Sequence, residues 1–182
     1  HHHVTPPSLR TEKMRAGAGG GPTYAWTLDQ TIEDMEKGDV RGVVISMPYP
    51  VDIWPDPKDT RGITREWNGY VAGLVRDHPG RFGQFTMLPI LDIEGSLREI
   101  EYSYDVLKAD GINLMTNIGD KWLGDPYYDP IFAELDRRKA VVYTHPAAPH
   151  CTAGALPEIR DSVIEFGTDT TRAITRLLFS GA

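Results

Sequence analysis

Apolar positions change rhythm along this chain, and each change marks an element. In "TLDQTIEDMEKG" (27–38) Leu28, Ile32 and Met35 fall on one helical face, with Thr27 and Gln30 as a capping box and Gly38 as the stop. "GVVISM" (42–47) is a near-continuous apolar run, which predicts a strand buried on both faces. A second helix is expected over about 61–76, where Trp67, Val71 and Leu74 recur at helical spacing, and a strand over 82–88. Asp92 then caps a helix whose Ile93, Leu97, Ile100, Tyr104 and Leu107 line one face. Gly111 follows, then a strand over 112–116, and a helix with Asp129 as cap and Pro130 in its first turn. A strand over 140–145 and a helix from about Asp169 to Phe179 complete the pattern.

Strand and helix therefore alternate, and the strands are short and apolar, which predicts an α/β fold with a parallel sheet covered by helices. A strand ending at the opening histidines brings the count to five βα units. The alternatives are an open doubly wound sheet and an incomplete (β/α)8 barrel. A full barrel needs about 250 residues, so the 182 present are expected to form one domain, 1–182, that is part of one. Both ends read as cut: there is no initiator Met, and "LLFSGA" stops where another strand is expected. Connections after strands are mostly long (48–60, 117–128, 146–168) and those before strands short, which places chemistry at the carboxyl ends of the strands.

Composition narrows the partners. A net charge of -7 without any Lys/Arg-rich run argues against nucleic acid. No apolar run approaches the roughly 20 residues of a membrane span, and no signal peptide is visible. The single Cys151 excludes an internal disulfide and suits a reducing, cytoplasmic setting. The glycine-rich stretch 16–23 lacks the Lys-Ser/Thr and the preceding strand of a phosphate loop.

Position sorts the histidines. His78 lies in a short connection leading into a strand, the wrong end for chemistry, whereas His145 terminates the strand "AVVYTH" at the correct end. His150 and Cys151 follow in the next loop, but a zinc trio with His145 matches no standard spacing. The loop "GDKWLGDPYYDP" sets Trp122 beside Lys121, Asp120 and Asp125. That suits either a flat anionic ligand or a loop anchored by a buried tryptophan. "HHHVTPP" at the start has two readings. It is a remnant of an expression tag, or it is half of a metal site, because alternation along a strand puts His1 and His3 on one face and His2 on the other.

Several stretches together resemble the decarboxylase branch of the amidohydrolase superfamily, which contains the aminocarboxymuconate-semialdehyde, γ-resorcylate, 5-carboxyvanillate and 6-methylsalicylate decarboxylases. They are "HHHVTPP", "DMEKGDVRGVVIS", "DHPGRFGQFTMLPI", "LREIEYSYDVLKADGINLMTNIGDKWLGDPYYDPIFAELDRRKAVVYTHP" and "DTTRAITRLLFSG", and they span nearly the whole chain in the family's order. The resemblance implies a TIM-barrel-like fold, a divalent metal, zinc or manganese, and His1, His3 and His145 as its ligands. It implies a metal-dependent carboxy-lyase that decarboxylates, without oxidation, a small aromatic (ortho-hydroxybenzoate-like) or muconate-type acid. The family's further histidine and its aspartate, which also moves the proton, are expected beyond Ala182, so no catalytic residue is assigned within the chain. Trp122, Tyr49 and Trp54 are candidate walls for the substrate ring; Arg61, with Arg15, is a candidate for its carboxylate. A homodimer is expected by analogy with barrels that pair. The rival readings are a metal-dependent lactone or amide hydrolase of the same superfamily, and an inactive fragment that acts as a binding module.

Overall fold

Each return from helix to strand turns through one residue in the left-handed region, which lets the connection stay short. Asp39 (φ 50°), Gly80 (φ 77°), Lys108 (φ 58°) and Lys139 (φ 53°) hold those positions. Glycine occupies that region at little cost and other residues do so uncommonly. The helix expected to stop at Gly38 does stop there, after Lys37, but the left-handed turn falls one residue later: Gly38 keeps φ -87° and Asp39 makes the turn.

The computed structural model describes residues 2–12, 24–47, 56–119, 121–152 and 154–181. Its helices are α1 (Leu28–Lys37), α2 (Pro57–Asp77), α3 (Ile93–Asp105), α4 (Asp129–Arg137) and α5 (Asp161–Ser180). Its strands are β1 (Val43–Ile45), β2 (Phe82–Thr86), β3 (Gly111–Met115), β4 (Asn117–Ile118), β5 (Lys121–Trp122) and β6 (Val142–His145). The expected alternation is present, with shorter strands. The chain divides into two compact units, His1–Ile112 and Asn113–Ala182.

In the first unit β1 runs parallel to β2, with Val43 opposite Phe82, and β2 runs parallel to β3, with Phe85 opposite Gly111. The strand expected at the opening histidines is a single parallel bridge, His2 to Ile45. Val4, Ile45, Trp67, Val71, Ile100 and Ile112 are fully buried between this sheet and α2 and α3. The apolar spacing of Trp67 and Val71 thus faces inward as the sequence implies. The expected capping box of α1 is half made. Thr27 accepts the Gln30 N–H at 3.2 Å, but the Gln30 side chain reaches forward to Asp34 at 2.8 Å. A buried amide network joins α2 to the sheet. Asn68 Nδ2 donates to the Met87 carbonyl (2.9 Å) and to Glu99 Oε1 (2.8 Å), while Gln84 Nε2 donates to the Asn68 carbonyl (2.8 Å).

In the second unit the remainder of β3 neighbours β6, and β4 and β5 form a small antiparallel hairpin. Leu114, Ile118, Leu123, Tyr128, Ile131, Leu135 and Ala173 are its buried apolar side chains. Gly124, two residues beyond the hairpin, adopts φ 83° and lies so near α5 that a Cβ there would be 2.9 Å from the Leu177 nitrogen. Asp129 is not the cap of α4. A 3-10 turn, Pro126–Tyr128, runs directly into the helix, and the capping carboxylate is Asp125, which accepts the Tyr127 N–H at 3.0 Å. The last helix begins at Asp161, well before the expected Asp169. "DSVIEFGTDTT" is poor in helix formers, and in the folded chain Thr168, Thr170 and Thr171 each bond back to the carbonyl four residues earlier. Strand β6 is half-buried throughout. Helix α5 displays Val163, Leu178 and Phe179 at 71%, 75% and 89% exposure.

On α4, Glu134 accepts from both Arg137 (2.7 Å) and Arg138 (2.6 Å), and these contacts pull its carboxyl from 4.5 to about 2. A depressed carboxylate stabilises the fold above its ordinary value and loses that contribution as pH falls through about 2. Glu134→Gln is therefore expected to lower stability at pH 7 by about 0.5–1 kcal/mol, after allowance for solvent screening, with the difference from the parent closing towards pH 2 in urea melts. No helix among the described residues is long and apolar enough to cross a membrane.

Candidate metal and substrate site

The strand at the amino end sorts its histidines by alternation. The His2 N–H donates to the Val44 carbonyl (2.9 Å) and the Ser46 N–H donates to the His2 carbonyl (2.9 Å), so the backbone is extended beside β1. The His2 ring turns towards α1, where its Nε2 meets Thr31 Oγ1 at 3.1 Å and accepts from the Trp26 indole N–H at 3.2 Å. His3 projects from the opposite face. Its Nδ1 lies 2.7 Å from the Ser46 carbonyl, and a carbonyl can only accept, so the proton is on Nδ1. A neutral imidazole of that tautomer carries its lone pair on Nε2, the orientation that a second partner gives to a metal-binding histidine. Burial lowers the His3 pKa below its ordinary value, outweighing the Ser46 bond that raises it, and so favours the neutral ring. His2 is lowered by burial as well. His1 lies outside the described residues.

His145 ends β6, as expected, and repeats the pattern: its Nδ1 donates to the Pro146 carbonyl at 2.9 Å. Its peptide is fastened to the end of β3. The Thr116 N–H donates to the His145 carbonyl (2.9 Å), and the Ala147 N–H donates to Thr116 Oγ1 (3.1 Å). His3 and His145 thus share one orientation, with Nδ1 tied to a backbone carbonyl and Nε2 turned away from it, and an imidazole nitrogen so held suits zinc or manganese. Among the described residues no three His, Cys, Asp or Glu side chains gather as a metal-holding group, the trio of His145, His150 and Cys151 included. His78, at the other end of the sheet, packs edge-on against Phe82 with ring centroids 5.8 Å apart.

The substrate-wall residues divide. Tyr49 and Trp54 lie outside the described residues. Trp122, on β5, is half-buried, and its indole N–H donates to Asp169 Oδ1 at 2.5 Å. Its neighbour Lys121 places Nζ 5.9 Å from the centre of the Tyr127 ring. Asp125, apart from capping, accepts from Arg176 at 2.8 Å. Arg61, on α2, pairs with Asp92, which also caps α3 by accepting the Gly95 N–H at 3.0 Å. The guanidinium holds that carboxylate below its ordinary value.

Sequence reasoning missed Asp169. It is fully buried within α5 and accepts from three groups: Thr116 Oγ1 (2.5 Å), Asn117 Nδ2 (2.6 Å) and the Trp122 indole. The available signal was its position one turn before Ala173, on the inward face of an amphipathic helix. Placing the helix start at Asp169 concealed it.

The 6-methylsalicylic acid decarboxylase of Penicillium expansum is 35% identical over 188 aligned residues, covering 100% of this chain and 58% of that protein. The 5-carboxyvanillate decarboxylase of Sphingomonas paucimobilis superposes with a TM-score of 0.85 at 18% identity, over 97% of this chain and 60% of that one. A dihydroxybenzoic acid decarboxylase from Polaromonas, crystallised with manganese and the inhibitor 2-nitroresorcinol, gives 0.76 at 21% identity, over 97% and 58%. The chain therefore spans about three fifths of the length of these proteins and carries the corresponding part of their fold, an incomplete parallel α/β barrel. The amidohydrolase family model matches residues 1–182, the opening histidines included. With that match over its whole length, the chain belongs to the amidohydrolase family.

Proposed function

We propose that the intact protein is a metal-dependent, non-oxidative decarboxylase of a small aromatic acid with a hydroxyl ortho to the carboxylate. The observation that carries this reading is the 35% identity to a 6-methylsalicylic acid decarboxylase along the full length of the chain. The likeness to a dihydroxybenzoic acid decarboxylase that binds manganese supports it. His1, His3 and His145 are the proposed ligands of a divalent ion, zinc or manganese. When bound, that ion supplies a Lewis acid that offsets the carboxylate and phenolate charge of the substrate, which a protein of net charge -7 otherwise repels.

The chain's own residues prepare the site. The Ser46 and Pro146 carbonyls orient the rings of His3 and His145 by accepting at Nδ1, and burial favours the neutral form of His3. Trp122, held at its N–H by Asp169, offers a fixed aromatic face for the ring, with Tyr49 and Trp54 as further walls. Arg61 is the candidate for the substrate's anionic end, and its pairing with Asp92 keeps the guanidinium at the amino end of α3. In the reaction a proton adds to the ring carbon that bears the carboxylate. The carbon–carbon bond then breaks, its electron pair returns to the ring, and carbon dioxide leaves. The balance needs no redox cofactor.

The test is to load the intact protein with Mn2+ or Zn2+ and supply 6-methylsalicylate, 2,6-dihydroxybenzoate and 5-carboxyvanillate separately. Release of carbon dioxide in step with the matching phenol is expected for at least one, and is abolished by a chelator. Turnover of a lactone or amide without carbon dioxide release would assign the protein to the hydrolytic branch instead.

A further inference from the structure

We propose that Asp169, acting through Thr116, is a positioning residue for His145. This rests on the reading of His145 as a metal ligand. Thr116 and Asp169 are both fully buried. The Thr116 hydroxyl donates to Asp169 Oδ2 at 2.5 Å, which aims its lone pairs elsewhere, and one of them accepts the Ala147 N–H at 3.1 Å. The backbone N–H of the same threonine donates to the His145 carbonyl at 2.9 Å. Thr116 thus grips the peptide on both sides of Pro146, and the Pro146 carbonyl is the group that receives the His145 Nδ1 proton. The ring's tautomer and direction depend on where that carbonyl points, and that is decided by two bonds to one threonine.

Asp169 fixes the rotamer of the threonine. Its donors allow no exchange of roles at two of three contacts, because an indole N–H and an amide NH2 can only donate. A carboxylate accepts all three bonds. An asparagine sets its own NH2 against at least one donor. Asn117, which also reaches the Ala147 carbonyl at 3.5 Å, ties the same segment to the same carboxylate. The carboxylate stands to His145 as an outer support, one hydroxyl and one peptide removed, and loss of such partners lowers metal affinity by about 10–100-fold.

The experiment compares Mn2+ dissociation constants of the intact protein with those of its Asp169→Asn, Thr116→Val, Thr116→Ser and His145→Ala variants, each measured well below its melting temperature. Thermal melts and the Mn2+ electron-spin-resonance line shape are recorded alongside. The expected result is about a 10–100-fold weaker constant for Asp169→Asn and Thr116→Val, with an altered line shape and recovery to within a few-fold of the parent in Thr116→Ser. If Asp169→Asn fails to fold, Thr116→Val decides, since it keeps the backbone bond and the side-chain shape and removes only the hydroxyl. Lower melting temperatures with parental Mn2+ affinity would overturn the proposal and leave Asp169 a packing element. Parental affinity in His145→Ala would instead overturn the ligand reading beneath it.

Discussion

Replacing Trp67 by alanine is expected to destabilise the protein by about 3–5 kcal/mol, the usual cost of truncating a large buried aromatic side chain. Trp67 has no exposed surface, and its indole N–H donates to the Val4 carbonyl at 2.9 Å. The truncation opens a cavity beneath the sheet and at the same time leaves a buried carbonyl without its donor, a further penalty of about 1–3 kcal/mol where water cannot enter. Val4 follows His3 directly, so the same indole that fills the core also anchors the histidine strand. Urea unfolding of Trp67→Ala and Trp67→Phe separates the two contributions: the phenylalanine variant restores most of the volume and none of the hydrogen bond. A loss below about 1 kcal/mol in the alanine variant would mean that α2 does not pack on that strand as described.

The second large effect concerns the histidines. His145→Ala and His3→Ala are each expected to strip the divalent ion during dialysis and to lower kcat/KM for the aromatic acid by about a thousandfold or more, equivalent to about 4 kcal/mol of transition-state stabilisation. His2→Ala is expected to keep the ion. Its ring points to the other side of the strand and bonds to Thr31 and Trp26, so its loss costs about 1 kcal/mol of stability and little affinity. Metal analysis of the three dialysed proteins checks this. Equal metal loss in all three would contradict the alternation on which the ligand assignment rests.

How the site came to be partly legible follows from the kind of signal each residue leaves. The place of His145 at the end of β6 was legible because a strand's end is visible in sequence, where an apolar run stops at a proline. The opposite facing of His2 and His3 was legible because alternation is a local property of extended backbone. Thr116 and Asp169 left no such trace. They are 53 residues apart, their contact is made by packing, and nothing local distinguishes a buried aspartate from the solvated ones around it. Trp122 shows the same limit. Its loop position suggested a ligand wall or a buried anchor, and the bond to Asp169 gives it the anchor's role whichever surface its ring presents.

Local physics, then, was enough to determine the order of strands and helices, the parallel class and the inward face of α2. Backbone alternation, helical spacing and capping act over a few residues and are written directly in the chain. Tertiary structure alone decided that α5 starts at Asp161 in spite of its threonines and glycine, that β6 is half-exposed, and that a buried carboxylate collects three donors from a segment, 116–122, far away in sequence. Those outcomes depend on burial and on which distant groups become neighbours, and a free energy shared between remote segments has no periodicity from which to read it.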